Sequence, residues 1–127
     1  MTDAITTKLS AHSVTDTVAR FTSILEAKNV KTFAVIDQRA EAEHAGLELR
    51  ETVLVIFGNP RAGTPVMAAA PLSALDLPLK VLIWDDGGQT KVTYTSPAEL
   101  ARRYDLTPEL TSNLAAVDAL TTALVSA

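Results

Sequence analysis

The chain contains no cysteine. That excludes disulfides, thiolate metal sites and thiol nucleophiles, and it fits a cytoplasmic protein. Only two histidines are present, so a closed zinc site would need carboxylates to complete its ligand count. Lysine and arginine form no cluster, and 11 basic against 15 acidic residues give a formal charge of −4. An acidic chain without a basic patch is a poor partner for nucleic acid or an anionic membrane. No apolar run approaches the roughly 18 residues of a membrane span. The opening MTDAITTKLSAHS has no basic region followed by an apolar one, so no signal peptide is read there. Internal repeats and low-complexity tracts are also missing.

What remains is an ordinary globular composition. The 127 residues are 47% hydrophobic and 20% charged, enough for one domain with its own core. Residues 5–9 read as a short strand. Ser13 or Thr15 can cap a helix to about Lys28, whose stripe is Val14, Val18, Phe21 and Leu25. Asn29 is a plain stop residue. Residues 30–37, with TFAVID, read as a strand, and Asp37 can cap the short helix QRAEAEHAG closed by Gly46. Residues 48–57 hold VLVIF, which lacks alternation and so predicts a strand covered on both faces.

Next comes FGNPRAGTPVM, then a short helix predicted over 65–70 and the irregular link PLSALDLP. LKVLIW, the turn Asp85-Asp86-Gly87-Gly88 and KVTYT predict a β-hairpin. Ser96, Pro97 and Glu99 form a capping box. A final helix is predicted over 107–126, with a stripe of Leu110, Leu114, Val117, Leu120 and Leu124. The order β-α-β-α-β-α-β-β-α-α predicts a single α+β domain over residues 1–127, with a mixed or mainly antiparallel sheet of about five strands covered by helices. The helical segments between strands are short for parallel crossovers.

Several motifs occur in order: ID at Ile36-Asp37, GLELRETVLVIFGNPRAGTPVM, AAPLSALDLPLKVLIWDD and YTSPAELARRY. Together they resemble the domain of unknown function 302 family over about residues 14–104. The resemblance implies a small α+β domain, alone or fused to others, with no biochemical role assigned. Two positions depart from the family pattern. Gln38 stands where members often carry His, which removes one ligand or proton carrier. Arg61 stands where Lys is usual, which keeps the charge but makes it a planar fork.

Gly58 and Gly63 have the spacing of a Walker loop, but Thr64 and Pro65 replace the Lys and Ser/Thr that the motif requires. The mechanical reading is that Thr64 caps a helix, Pro65 starts it, and the two glycines adopt conformations that other residues resist. Against it stands a second reading, in which Arg61 near a helix start holds a small anion. Glu41-x-x-His44 has metal-helix spacing but occurs once, on a short helix, and reads as a solvated face. His12 reads as a surface or capping residue. No Ser-His-acid arrangement is present, and the Asp85-Asp86 and Glu48/Glu51 pairs fit a turn and opposite strand faces.

In DLPLK, Asp76 and Lys80 bracket apolar residues just before a strand. With Asn59 and Arg61 they can converge at one end of the sheet. The candidate ligand-binding set is Asp37, Asn59, Arg61, Thr64, Asp76 and Lys80, with no metal and no cofactor expected. Two functional readings lead; a third, a metal or haem carrier, would need the dispersed His12, His44 or Met67 as ligands. The first is a non-enzymatic small-ligand-binding or interaction module acting as a homodimer. The second is an enzyme of unassigned class centred on Asn59, Arg61, Asp76 and Lys80.

Overall fold

The computed structural model describes residues 4–126. Its strands are β1 (Ile5–Ser10), β2 (Lys31–Asp37), β3 (Thr52–Gly58), β4 (Leu79–Asp86) and β5 (Gln89–Thr95). They form one sheet in the order β1-β5-β4-β3-β2, and every neighbouring pair is antiparallel. The helices are α1 (Val14–Ala27), α2 (Gln38–His44), α3 (Pro60–Ala69), α4 (Pro97–Tyr104), α5 (Pro108–Ser112) and α6 (Ala116–Val125). A short 3-10 turn over Pro71–Leu75 leads into β4. The α+β class and the antiparallel sheet are therefore as the sequence predicts. The segments α2 and α3 are too short to carry the chain back for a parallel pair, so each returns it antiparallel.

Local chemistry sets the boundaries. The Ser13 side chain accepts from Asp16 N at 3.0 Å and starts α1. Asn29, with φ of 57°, ends it in the left-handed region. The β4–β5 hairpin turns through Gly87 and Gly88, at φ of 59° and 99°. Two successive positive φ values make this the tight hairpin turn that favours glycine. Ser96 accepts from Glu99 N at 3.1 Å to open α4.

One face of the sheet carries Val53, Val55, Phe57, Val81, Ile83, Val92 and Tyr94, all buried against α1 and α6. Phe21 meets Phe57 edge-on, with centroids 5.2 Å apart. Thr17 takes the buried position on α1 that the stripe assigns to Val18, which is only half-buried. The Thr17 hydroxyl bonds Ser10 Oγ at 2.8 Å, so its polarity is satisfied there. A second cluster of Val66, Leu77, Leu100 and Leu114 fills the end of the sheet beneath α3, α4 and α5.

The structure departs from the sequence expectation in one strand and one helix. The VLVIF strand is covered on one face only: its burial alternates, and Leu54 and Ile56 stay partly exposed. The C-terminal helix is two helices, because residues 113–115 tighten into i→i−3 bonds such as Leu114 N to Thr111 O at 3.0 Å. The break sends Leu114 to the second cluster and leaves Val117, Leu120 and Leu124 in the first.

Phe57→Ala removes a ring packed at the centre of the larger cluster. Urea unfolding should show a loss of about 3–5 kcal/mol. Leu47→Ala, at a residue 65% exposed, should stay within about 0.5 kcal/mol of the parent. Equal losses would contradict this assignment of the core.

Candidate functional site

The end of β3 and the start of β4 lie side by side, with Phe57 opposite Leu79. FGNPRAGTPVM leaves the sheet here. Asn59 is extended, and its side chain accepts from Arg61 N at 2.9 Å. Pro60 occupies the first helical position. Asn59, not Thr64, is thus the cap of α3, and Pro60, not Pro65, is the starting proline. Both Asx capping and a fixed proline φ are supplied five residues earlier than the sequence reading places them. Pro65 lies inside the helix, where it removes one backbone donor.

This geometry disposes of the phosphate cradle. The first-turn amides are already engaged: Ala62 N and Gly63 N both donate to Asn59 O at 2.9 Å, and Arg61 N donates to the Asn59 side chain. Nor do Gly58 and Gly63 have positive φ, since the positive-φ glycines are Gly46, Gly87 and Gly88. The expectation that they adopt conformations closed to other residues is corrected.

A cavity of about 200 Å³ lies at this end of the sheet. Gly58, Asn59, Pro60, Gly63 and Met67 line it from FGNPRAGTPVM, and Leu77, Pro78 and Leu79 line it from DLPLK. Phe33 and Leu114 complete the wall, so Asn59 supplies the one polar side chain of the lining. The two family segments therefore face each other across an apolar space. Arg61 and Thr64 are exposed and lie outside this lining.

Asp76 and Lys80 sit at the same end but in a different arrangement. Tyr104 Oη donates to Asp76 Oδ2, and Arg103 donates to the same oxygen at 3.2 Å. The Tyr104 hydrogen bond, then Arg103 and the more distant Lys80, hold the Asp76 carboxyl below the usual carboxylate range. Arg103 Nε also donates to Glu99 at 2.8 Å, and Arg102 grips Glu99 through Nε and Nη2 at 2.8 and 2.7 Å. The Arg102 and Arg103 hydrogen bonds push the Glu99 carboxyl down to about 2. Asp76 thus clamps the link before β4 onto α4. The space beside Asp76 and Lys80 is about 40 Å³, room for water and little else. Lys80 Nζ donates to the carbonyl of Pro78 at 3.3 Å.

Asp37 lies at the opposite end of the sheet, opposite Val53, and its side chain accepts from Ala40 N at 3.0 Å to cap α2. The six candidates therefore do not meet in one place. Asn59, Asp76 and Lys80 share a sheet end, Arg61 and Thr64 sit on the outer side of α3, and Asp37 is remote. Tyr104 and the Arg102/Arg103 pair escaped the sequence reading. The i+3 and i+4 spacing of Glu99 with Arg102 and Arg103 in ELARRY was the visible signal for part of that network. Tyr94, on the covered face, is pushed up to about 12 by burial and by its hydrogen bond to Asp118 at 2.5 Å. Among the described residues no three His, Cys, Asp or Glu side chains group closely enough to hold a metal ion.

Fold and site together define an α+β domain with a one-sided antiparallel sheet and an apolar cavity between two motif-bearing segments. The chain belongs to the family described as Domain of unknown function DUF302, whose model matches residues 5–125, a longer span than the motifs alone indicate. A crystal structure of an uncharacterized conserved DUF302 protein from Bacillus stearothermophilus shares the fold. Its TM-score is 0.82 over 98% of this chain and 97% of that one, at 18% sequence identity. The chain is also similar to proteins named Fluoride-specific ion channel. It is 41% identical over 98 residues to FluC 1 of Brucella suis biovar 1, covering 76% of this chain and 39% of that protein. To FluC 2 of Brucella melitensis biotype 1 it is 41% identical over 98 residues, covering 76% and 36%. The chain spans well under half the length of these curated relatives. No helix among its own described residues is long and apolar enough to cross a membrane.

The Glu99 network makes stability depend on acid. A carboxyl lowered from 4.5 to about 2 contributes stability that is present above the higher value and is lost as pH falls towards the lower. Melting temperatures measured across pH 4.5 to 2 should fall more steeply for the parent than for Glu99→Gln. Parallel curves would show that Glu99 does not act through its charge.

Proposed function

We propose that the protein is a non-enzymatic interaction module that acts as a homodimer, with the open face of its sheet as the contact surface. The observation that carries this is the mismatch between strand composition and coverage. VLVIF on β3 reads as a strand covered on both faces, VLIW on β4 is likewise apolar without alternation, and the helices cover one face. The other face carries Ile36, Leu54, Ile56, Leu82 and Trp84, with Ile5, Thr7, Leu9 and Thr93 alongside. None of these nine residues is buried.

A second copy suits this face for reasons of size and charge. Five strands about 4.8 Å apart and some six residues long give a plan area of about 500 Å² per copy. Two copies reach about 1,000 Å² in total, the lower bound for a specific interface. The charges flanking the hydrophobic strip are mixed: Lys91 is paired with Asp86 at 2.7 Å, and Lys91 Nζ lies 5.6 Å from the Trp84 ring centroid. A face of mixed charge meets its own image with little repulsion despite the net charge of −4 per chain. Two sheets stacked in this way form a sandwich about 10 Å apart, and the two-fold contact closes on itself.

The dimer is assigned to the cytoplasm, a reading supported by the absence of cysteine. The enzyme reading is weakened by the site itself, because Asp76 is engaged by Tyr104 and Arg103 and Arg61 faces outward. In the Brucella relatives the matching stretch is part of a longer channel-named chain, where another segment would be the natural cover for the same face.

Light scattering should give about twice the 13.5 kDa chain mass, 2 × 13.5 = 27 kDa. Leu82→Lys should return it to a folded single chain, because it places a charge in the middle of the contact. A clean 13.5 kDa species from the parent would overturn the dimer and leave a different partner as the cover of this face.

A further inference from the structure

Gly63 lies in the interior of α3, where glycine is a poor helix former. Its φ is not positive, so no backbone conformation demands glycine. A Cβ there would meet Met67 Cε at 3.8 Å, an ordinary contact, so no close approach demands it either. Gly58 is alike: an added Cβ would stand 3.5 Å from Pro78 Cβ and 3.8 Å from Phe33 Cε2. Both glycines line the same cavity. The structural consequence of each missing side chain is open volume in that space.

We infer that this cavity is a binding site for a small, uncharged, mainly apolar ligand about the size of one substituted six-membered ring. Its volume, about 200 Å³, is somewhat above the roughly 150 Å³ of an apolar cavity that takes benzene. The walls are aliphatic, aromatic and thioether groups: Phe33, Met67, Leu77, Leu79 and Leu114. Asn59 alone adds a polar side chain, enough to orient one polar substituent. Met67 is flexible and polarizable and adapts to a ring better than a branched residue. A small anion, the ligand of the second reading of FGNPRAGTPVM, is not matched here. No cationic side chain lines the space, and the first amides of α3 are engaged by Asn59. Phe33 and Pro60 are solvent-exposed and give the ligand a way in. The inference does not depend on the homodimer.

The test is NMR of the Met67 methyl with toluene, p-cresol and inorganic phosphate as probes. Toluene and p-cresol should shift that signal saturably, and phosphate should not. Gly63→Leu fills the space from the helix side. It should weaken binding by about ten-fold or more while the melting temperature holds or rises. Gly58→Ala, which fits without a clash, should weaken binding to a lesser extent and serves if Gly63→Leu fails to fold. Absence of a saturable shift in the parent, a response to phosphate alone, or parent-like affinity in the folded glycine variants would each overturn the site.

Discussion

A β-sheet has two faces, and the helices of this chain cover only one of them. Phe21 and Leu25 of α1 and Val117, Leu120 and Leu124 of α6 seal Val55, Phe57, Val81, Ile83 and Val92 from water. That single layer of apolar contact orders the whole molecule, because hydrophobic burial is the dominant favourable contribution to folding. It fixes the register of the strands, since a slip by one residue would exchange the covered and uncovered sets. It also leaves Leu54, Ile56, Leu82 and Trp84 in a position that an antiparallel sheet commonly gives to polar residues. The second face is the physical reason to look for a partner.

The sheet end works differently. There the chain must leave β3, build α3, and return into β4 within a short span. Asn59 and Pro60 start α3 at once, and Asp76 ties the returning link to α4 through Tyr104 and Arg103. The polar groups are therefore engaged in holding segments in place. What stays open between those segments is apolar, because Gly58 and Gly63 contribute no side chain to it. Rigid polar fastening around an apolar space is a common design for a small-ligand site.

Much of this was legible in the sequence. The helices with caps at Ser13, Asp37 and Ser96 were readable because side-chain capping is local. The hairpin at Gly87-Gly88 was readable because turn chemistry is local too. The start of α3 was misplaced because Asn59-Pro60 and Thr64-Pro65 carry the same cap-then-proline signal, and only tertiary packing chooses between them. The break between α5 and α6 was hidden because the leucine stripe continues through it, although it serves two separate clusters. Coverage of the sheet was not readable at all: an apolar run shows that a face seeks cover and not what covers it. The candidate residues were all polar or charged, whereas the cavity is walled by apolar residues and Asn59 is the one candidate that lines it.

Trp84 is the one tryptophan of the chain and lies on the uncovered face, its indole N–H donating to Thr93 at 3.0 Å. It therefore reports directly on whether that face is occupied. Acrylamide quenching of its fluorescence, followed across protein concentration, is the most direct measurement of the central claim. Shielding that grows as copies associate, and is lost in Leu82→Lys, is the predicted result. Quenching that is strong and identical at every concentration, in parent and variant alike, would contradict it.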